Sequence, residues 1–373
     1  MLKFNIVLQF NPSVDVYKVG DDMLEFYFIA TRKRLSMMVS SGIIVLVQEI
    51  DGVHSLNQIC DKLEIEIRND GLHEFLQYLL DRKVLEDVKE KKEAMSVLPD
   101  KELERYDRQF SYFDAVSKDS PYTFQKKLEN IRFLIFGCGA IGSGIAIQLA
   151  RAGARHFILV DKDKITADNM ERHYFFEEKY VGMNKADALS DYLKRIDSQV
   201  NCECCNTIID YDTELDSYLK HADFVVNTLD EPYIGFTSLK IGRACYALKM
   251  PLYVAGGFDA HLMSTGELII PDETPCVDCY TTYFTDSLKD WKPSYNVSAI
   301  TEEESSNSIF EVGGLASMSL FSTSYAVIVI LNYLATGNAR STLGRGELLL
   351  DKLNIDYLNV PKNPDCHVCG KNK

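Results

Sequence analysis

The segment Ile131-Arg132-Phe133-Leu134-Ile135-Phe136-Gly137-Cys138-Gly139-Ala140-Ile141-Gly142 constrains this chain more than any other. An apolar run of strand character passes through a glycine-rich turn into a helix, which is the shape a nucleotide-binding α/β domain requires. Gly137 makes the tight turn, Gly139 lets the backbone approach a phosphate, and Gly142 lets the helix pack on its strand. About twenty residues later, Ile158-Leu159-Val160-Asp161 ends a second strand in a carboxylate placed for a ribose hydroxyl. The turn by itself would equally suit an oxidoreductase. Strand–helix alternation from Ile131 to Leu268, with strands over Val200–Ile209 and Phe224–Leu229, predicts a mostly parallel sheet covered on both faces. The expected fold class is therefore α/β, with a Rossmann-like sheet.

Residues beyond the turn separate the two chemistries. Asp163, then Asp168-Asn169-Met170-Glu171-Arg172, then Gly182-Met183-Asn184-Lys185 bring an arginine and a lysine that hydride transfer does not need. Cleavage of ATP between its α- and β-phosphates does need them, because charge develops on the leaving pyrophosphate. The planar fork of Arg172 suits phosphate oxygens. Asp230 closes the strand Phe224-Val225-Val226, where ligands of an open α/β sheet bind. It suits Mg²⁺, which takes one or two carboxylates besides phosphate oxygens; the alternative is a helix N-cap for the segment after Pro232. Arg105-Tyr106-Asp107-Arg108-Gln109 lies upstream, and two CxxC pairs lie downstream. In this order the motifs resemble those of the ThiF/MoeB family, the ubiquitin-activating-like adenylating enzymes, from about Arg105 to Cys369. The resemblance implies ATP and Mg²⁺ as ligands, with Gly137, Gly139, Gly142, Asp161, Asp163, Asn169, Arg172, Lys185 and Asp230 around the nucleotide. It also implies a homodimer in which Arg108 reaches the partner's ATP site; Arg105 would share that role or pair with a nearby acid. Ala140 stands where many relatives carry a further glycine, a change too small to block a nucleotide.

Cys276-Val277-Asp278-Cys279 and Cys366-His367-Val368-Cys369 read as a structural zinc set of four cysteines. Thiolates at CxxC spacing bite a tetrahedral metal, and two pairs fill all four positions. His367 is read as a bystander. Tyr280 to Asp365 contains no cysteine, which excludes thioester transfer at the place where such family members carry their nucleophile. Cys202, Cys204 and Cys205 fall on an expected strand, where burial is the usual fate of cysteine, and Cys138 is read as packed within the turn. Tyr280 to Phe310, with Lys289, Trp291, Lys292, Tyr295 and Glu302-Glu303-Glu304, is expected to be an irregular crossover loop covering the substrate.

Residues 1–88 read as a separate small α+β unit of winged-helix type. Phe4–Phe10, Val14–Val19 and Leu24–Ile29 are strand-like, and Gly20-Asp21-Asp22 is a turn. Leu35–Ile50 has helical length, Ser55 caps a helix through Leu63, and Asp70 caps one over Leu72–Arg82. Such units often bind DNA. Through Val88, however, there are 14 acidic residues against nine Lys and Arg, and that balance disfavours a phosphate backbone. The segment resembles the PqqD-like peptide-recognition domain, in which a leader peptide adds a strand to a sheet edge; a structural or dimerising role is the alternative. Residues 89–104, highly charged and containing Pro99, read as a linker. The adenylation domain is expected over 105–373.

Composition narrows the function further. A net charge of −15 argues against nonspecific nucleic-acid binding. No secretory signal is visible at Met1-Leu2-Lys3-Phe4, and Leu315–Leu334, near membrane-span length, carries enough Ser, Thr and Asn to read as a buried helix. Ten cysteines, four in metal-like pairs, suit a reducing cytoplasm. The expected activity is ATP-dependent adenylation of a carboxylate, or of a residue bearing a C-terminal amide, on a short ribosomally made precursor peptide, as in the microcin- and pantocin-type branch of the family. The alternative is a sulfur-carrier adenylyltransferase for thiamine or molybdopterin synthesis. A noncatalytic scaffold is disfavoured because Arg172, Lys185 and Asp230 are all present.

Overall fold

The computed structural model describes residues 3–68, 70–258, 262–290, 314–339 and 344–370. The chain divides into two compact units, Met1–Lys126 and Lys127–Lys373.

The first unit opens with β1 (Leu8–Phe10) and an antiparallel meander of β2 (Val14–Val19), β3 (Met23–Phe28) and β4 (Lys33–Met38). Then come α1 (Ser41–Gln48), α2 (Leu56–Lys62), α3 (Asp70–Asp81) and β5 (Leu85–Asp87), which pairs with β1. Leu24 and Phe26 of the meander pack against Ile44, Leu46, Leu56, Leu72 and Leu76 of the helices. Ser55 caps α2, as the sequence predicts, and the structure adds a complete capping box with Gln58. Leu35–Ile50 is not one helix: its first four residues belong to β4. Leu35 and Met37 turn to the core while Arg34, Ser36 and Met38 stay exposed, so a period of two and pairing with β3 override helical length. The expected strand from Phe4 shortens to Leu8–Phe10. Residues 89–104 carry most of α4 (Val88–Met95) and α5 (Asp100–Arg105); α6 (Asp107–Val116) and α7 (Pro121–Asn130) follow, and the boundary between the units falls inside α7.

The second unit is built on β6 (Arg132–Phe136), α8 (Ala140–Ala152), β7 (His156–Val160), α9 (Lys185–Ile196), β8 (Asn201–Cys205), α10 (Asp216–Leu219), β9 (Phe224–Asn227), α11 (Ile234–Ala247), β10 (Leu252–Val254), β11 (Leu262–Ser264) and β12 (Glu267–Ile269). Six of these strands form one sheet in the order β12-β10-β9-β6-β7-β8, parallel except for β12. Their continuous Val, Ile, Leu and Phe runs are what burial on both faces demands. After α12 (Val277–Ser287) and α13 (Ala316–Thr336), the chain ends in β13 (Gly346–Leu349) and β14 (Asn354–Tyr357), which extend β11 into a second sheet. The region expected to be irregular from Tyr280 thus begins as helix through Ser287; Trp291, Lys292, Tyr295 and Glu302–Glu304 lie outside the described residues. β8 ends four residues short of Ile209, and its three cysteines are half-buried.

Among the described residues α13 alone is long and apolar enough to cross a membrane, and half of its most apolar window is buried. Its hydroxyls fasten it to the core. Ser322 donates to the Ser264 carbonyl at 3.0 Å, Ser319 to the Arg172 carbonyl at 2.8 Å, and Ser324 accepts from Gln148 at 3.2 Å. At Gly144 of α8 a Cβ would come within 2.8 Å of Thr323, so the two helices meet at glycine distance.

Candidate active site

Parallel register brings the carboxyl ends of four strands into one row: Phe136 pairs with Val160 and Asn227, and Asn227 with Val254. The next residues out are Gly137, Asp161, Thr228 and Ala255. Gly137 has φ +90°, and a Cβ there would lie 2.4 Å from Thr228 Oγ1. At Gly142 a Cβ would lie 1.9 Å from the Gly137 carbonyl oxygen. Side chains at either position would break the turn. Among the described residues Gly139, the N-cap of α8, has nothing within 4 Å of the Cβ it lacks. The space lies at a helix N-terminus, whose N–H groups favour an anion.

Asp161 secures the turn. Its two oxygens accept the Cys138 N–H at 2.7 Å and the Asp163 N–H at 2.8 Å, and its burial pushes the carboxyl upward from the usual range. Lys185, the first residue of α9, reaches back to Asp163 Oδ2 at 2.9 Å and is largely shielded from water. Asn169 is buried in a 3₁₀ turn, accepting the Thr166 N–H and donating to Asp168. Arg172 ends that turn, its guanidinium touching the Asp168 carbonyl and Glu171. Asp163, Lys185, Asn169 and Arg172 are therefore set by three short segments packed beyond the β7 end.

Asp230 is exposed, and its carboxylate has no partner among the described residues. It does not cap the following helix, whose N-cap is Tyr233. Thr228, two residues earlier, holds this loop to the glycine turn by donating to the Phe136 and Gly137 carbonyls at 3.0 Å. Sequence reasoning missed Thr228, although its hydroxyl immediately follows the strand. It also missed the Lys162–Glu231 ion pair, which joins the loops after β7 and β9 on either side of the β6 turn. His173 is a third omission. It is buried, its ring stacks on Phe176 at 4.4 Å and 12°, and its Nδ1 has no partner. Burial, then the positive charges of Lys185 and Arg172, push its pKa down to about 3. The Asn169-to-Arg172 spacing drew attention to the charges and away from the neutral ring beside them. Arg105 and Arg108 are exposed on the first unit, at the end of α5 and the start of α6.

The four paired cysteines converge. Cys276, the N-cap of α12, lies 3.5 Å from Cys366 and 3.9 Å from Cys279 sulfur to sulfur, and Cys279 lies 3.3 Å from Cys369. All four Sγ atoms fall within 4.8 Å of one another. Tetrahedral Zn–S bonds of about 2.3 Å require sulfurs roughly 3.8 Å apart, so the donor set fits such an ion. His367 is exposed and outside the cluster.

A glycine turn under open space, flanked by cations and an unpartnered acid at the carboxyl edge of a parallel sheet, defines a nucleotide-binding α/β domain. The chain belongs to the ThiF family, which residues 106–368 match. The molybdopterin-synthase adenylyltransferase of Escherichia coli (strain K12) is 25% identical over 282 residues, covering 74% of this chain and 100% of that one. The Culex quinquefasciatus adenylyltransferase and sulfurtransferase MOCS3 is 30% identical over 190 residues, 50% of this chain and 40% of that protein. Among solved structures, E. coli MccB with succinimide aligns at TM-score 0.71 and 19% identity, covering 98% of this chain and 99% of that one. E. coli MccB with ATP aligns at 0.69 and 19%, covering 97% and 99%. PaaA aligns at 0.68 and 19%, covering 95% and 100%. At these identities the structural likeness is one of fold.

Proposed function

We propose that this protein is an ATP-dependent adenylyltransferase that activates a short ribosomally made precursor peptide. The carrying observation is the row of strand ends, where Gly139 leaves room for phosphate between the Lys185–Arg172 cations and the unpartnered Asp230. A carboxylate or amide oxygen of the peptide attacks the α-phosphorus, the bond to the β-phosphate breaks, and pyrophosphate leaves. Arg172 and Lys185 neutralise charge on the phosphates, and Asp230 holds Mg²⁺ against them. Asp161, Asp163 and Asn169 border the nucleoside side. Arg108 serves the site of a second copy in a homodimer. Zinc in the four-cysteine set ties the C-terminus to the start of α12, and a closed set of four thiolates leaves no position for catalysis. The working compartment in this reading is the cytoplasm.

Residues 1–88 serve as the peptide-recognition domain. Two facts support this: the ThiF match begins only at residue 106, and solved MccB structures that span nearly the whole chain include one with AMPCPP and MccA. The open edges of the β2-β3-β4 sheet supply main-chain groups for an added strand. The second reading, activation of a sulfur-carrier protein, is favoured by the E. coli molybdopterin enzyme, which aligns over its whole length. Deleting residues 1–88 separates the two. Peptide activation, read as peptide-dependent ATP–pyrophosphate exchange, should fall steeply because tethering at the recognition domain is lost. Full-rate processing of its partner by the truncated enzyme would move the sulfur-carrier reading ahead.

A further inference from the structure

Close packing or backbone conformation explains most glycines of the second unit. A Cβ at Gly256 would sit 2.4 Å from the Ser264 carbonyl oxygen, and one at Gly266, where φ is +78°, 2.5 Å from that of Val254. Gly257 is different. Its φ is not in the left-handed region, and among the described residues a Cβ there would meet nothing within 4 Å. It is exposed. Its carbonyl accepts the Ser264 N–H at 2.9 Å, but among the described residues nothing accepts its own N–H. Among those residues Gly139 is the other glycine of this unit with ordinary φ and open space beside it, and there a phosphate accounts for the gap.

The position of Gly257 fits a ligand. It follows β10, beyond the same row of strand ends that carries Gly137, Asp161 and Thr228. The order across the edge is β7, β6, β9, β10. A nucleoside at Asp161 and an α-phosphate over the β6 turn therefore place the next group along the row, past Asp230, towards β10. Two strand spacings amount to about 10 Å, the reach of a carboxyl carbon and the residue attached to it. The ground beneath is rigid: Ser322 holds the Ser264 carbonyl, and the Gly346 N–H is held by Thr265 Oγ1 at 2.8 Å.

We propose that Gly257 is the seat of the acyl residue being activated. Its free N–H binds the main chain of that residue, and its missing side chain leaves the room the residue occupies. The seat rests on the adenylation reading above. Its ligand class is an extended acyl group carried on adenylate, whether it comes from a peptide or from a carrier-protein tail.

The test uses the full-length protein and a stable acyl-adenylate mimic, 5′-O-(N-glycylsulfamoyl)adenosine, with ATP as the reference ligand, both by calorimetry. Gly257→Val should weaken the mimic by about tenfold or more through steric conflict. ATP affinity and thermal stability should hold within about twofold and a degree or two, as for an open surface site. Gly257→Ala should fall between. Equal affinity of wild type and Gly257→Val for the mimic would overturn the seat while leaving adenylation standing. Loss of ATP together with the mimic would overturn it as a separate subsite, and unfolding of both variants would refute the open space. Wild-type protein that binds neither ligand would remove the adenylation reading, and the seat with it.

Discussion

The carboxyl edge of the second unit and the meander of the first unit present opposite kinds of surface. At the former, side chains and glycines are fixed by short hydrogen bonds: Asp161 to two backbone N–H groups, Thr228 to two carbonyls, Lys185 to Asp163. At the latter, the exposed feature is main chain. Val39 donates to the Asp22 carbonyl and Ile29 to that of Ser13, so by antiparallel alternation the N–H groups of Arg34, Ser36 and Met38 point away from β3 on one edge, and those of Val16 and Lys18 on the other. In the proposed function, the first surface would recognise through residue identity and the second through a ladder of outward N–H groups that almost any sequence could supply.

The largest expected effect lies at the first surface. Asp230→Ala or Lys185→Ala should lower peptide-dependent ATP–pyrophosphate exchange by on the order of a hundredfold or more, as removal of a charge-stabilising group does. Peptide binding measured without ATP should stay at wild-type strength. Either variant retaining full exchange would break the assignment of that residue.

Next in size is the four-cysteine set. Purified protein should hold about one zinc per chain, and Cys366→Ser should lose it together with on the order of 3 kcal/mol of stability, since a structural metal contributes folding free energy directly. A metal-free protein as stable as wild type would show that convergence of the sulfurs needs no ion.

Legibility divides along the same line. The glycine turn, β6, β7, the Ser55 cap of α2 and the CxxC pairs were readable because each imposes a local rule on residue type and spacing. The extent of Leu35–Ile50 was not, because only pairing with β3 tells a strand from a helix over Lys33–Met38. Thr228 and His173 were missed for a related reason. Thr228 acts on the Phe136 carbonyl, distant in sequence. His173 is held neutral first by burial, and no spacing in the chain announces either. Gly257 looked like any loop glycine until its surroundings were known.

A smaller effect tests the second surface. Ser36→Pro and Lys18→Pro each delete one outward N–H, and proline cannot donate to an added strand. Both sites are exposed, and both N–H groups are outside the β3 ladder. If the leader peptide pairs with an edge, one variant should lose about tenfold in leader affinity, by fluorescence anisotropy, and the other little. The losing variant names the edge. Unchanged affinity in both would remove strand addition.

A further effect concerns acid sensitivity, which the buried residues beyond the β7 end should show and an exposed sheet edge should not. His173 titrates near 6.5 when unfolded and about 3 when folded. The unfolded chain therefore takes up the proton first. Stability is whole above the unfolded value and is lost as pH falls from 6.5 towards 3. Around the ring, Lys185 and Arg172 oppose its protonation and Asp168 favours it only weakly, so no neighbour rescues the charged form. At pH 5 the loss relative to pH 8 is about 2 kcal/mol from this group. Asp161 and Glu267 work the other way: burial raises both carboxyls, and raised acids favour the folded state as pH falls. The contribution of His173 must therefore be read as a difference between proteins. His173→Gln keeps a polar planar group and removes the titration. Urea unfolding at pH 8 and pH 5 should show wild type losing about 2 kcal/mol more than the variant between the two conditions. Identical losses would mean that His173 is not held neutral beside the Lys185 and Arg172 cations.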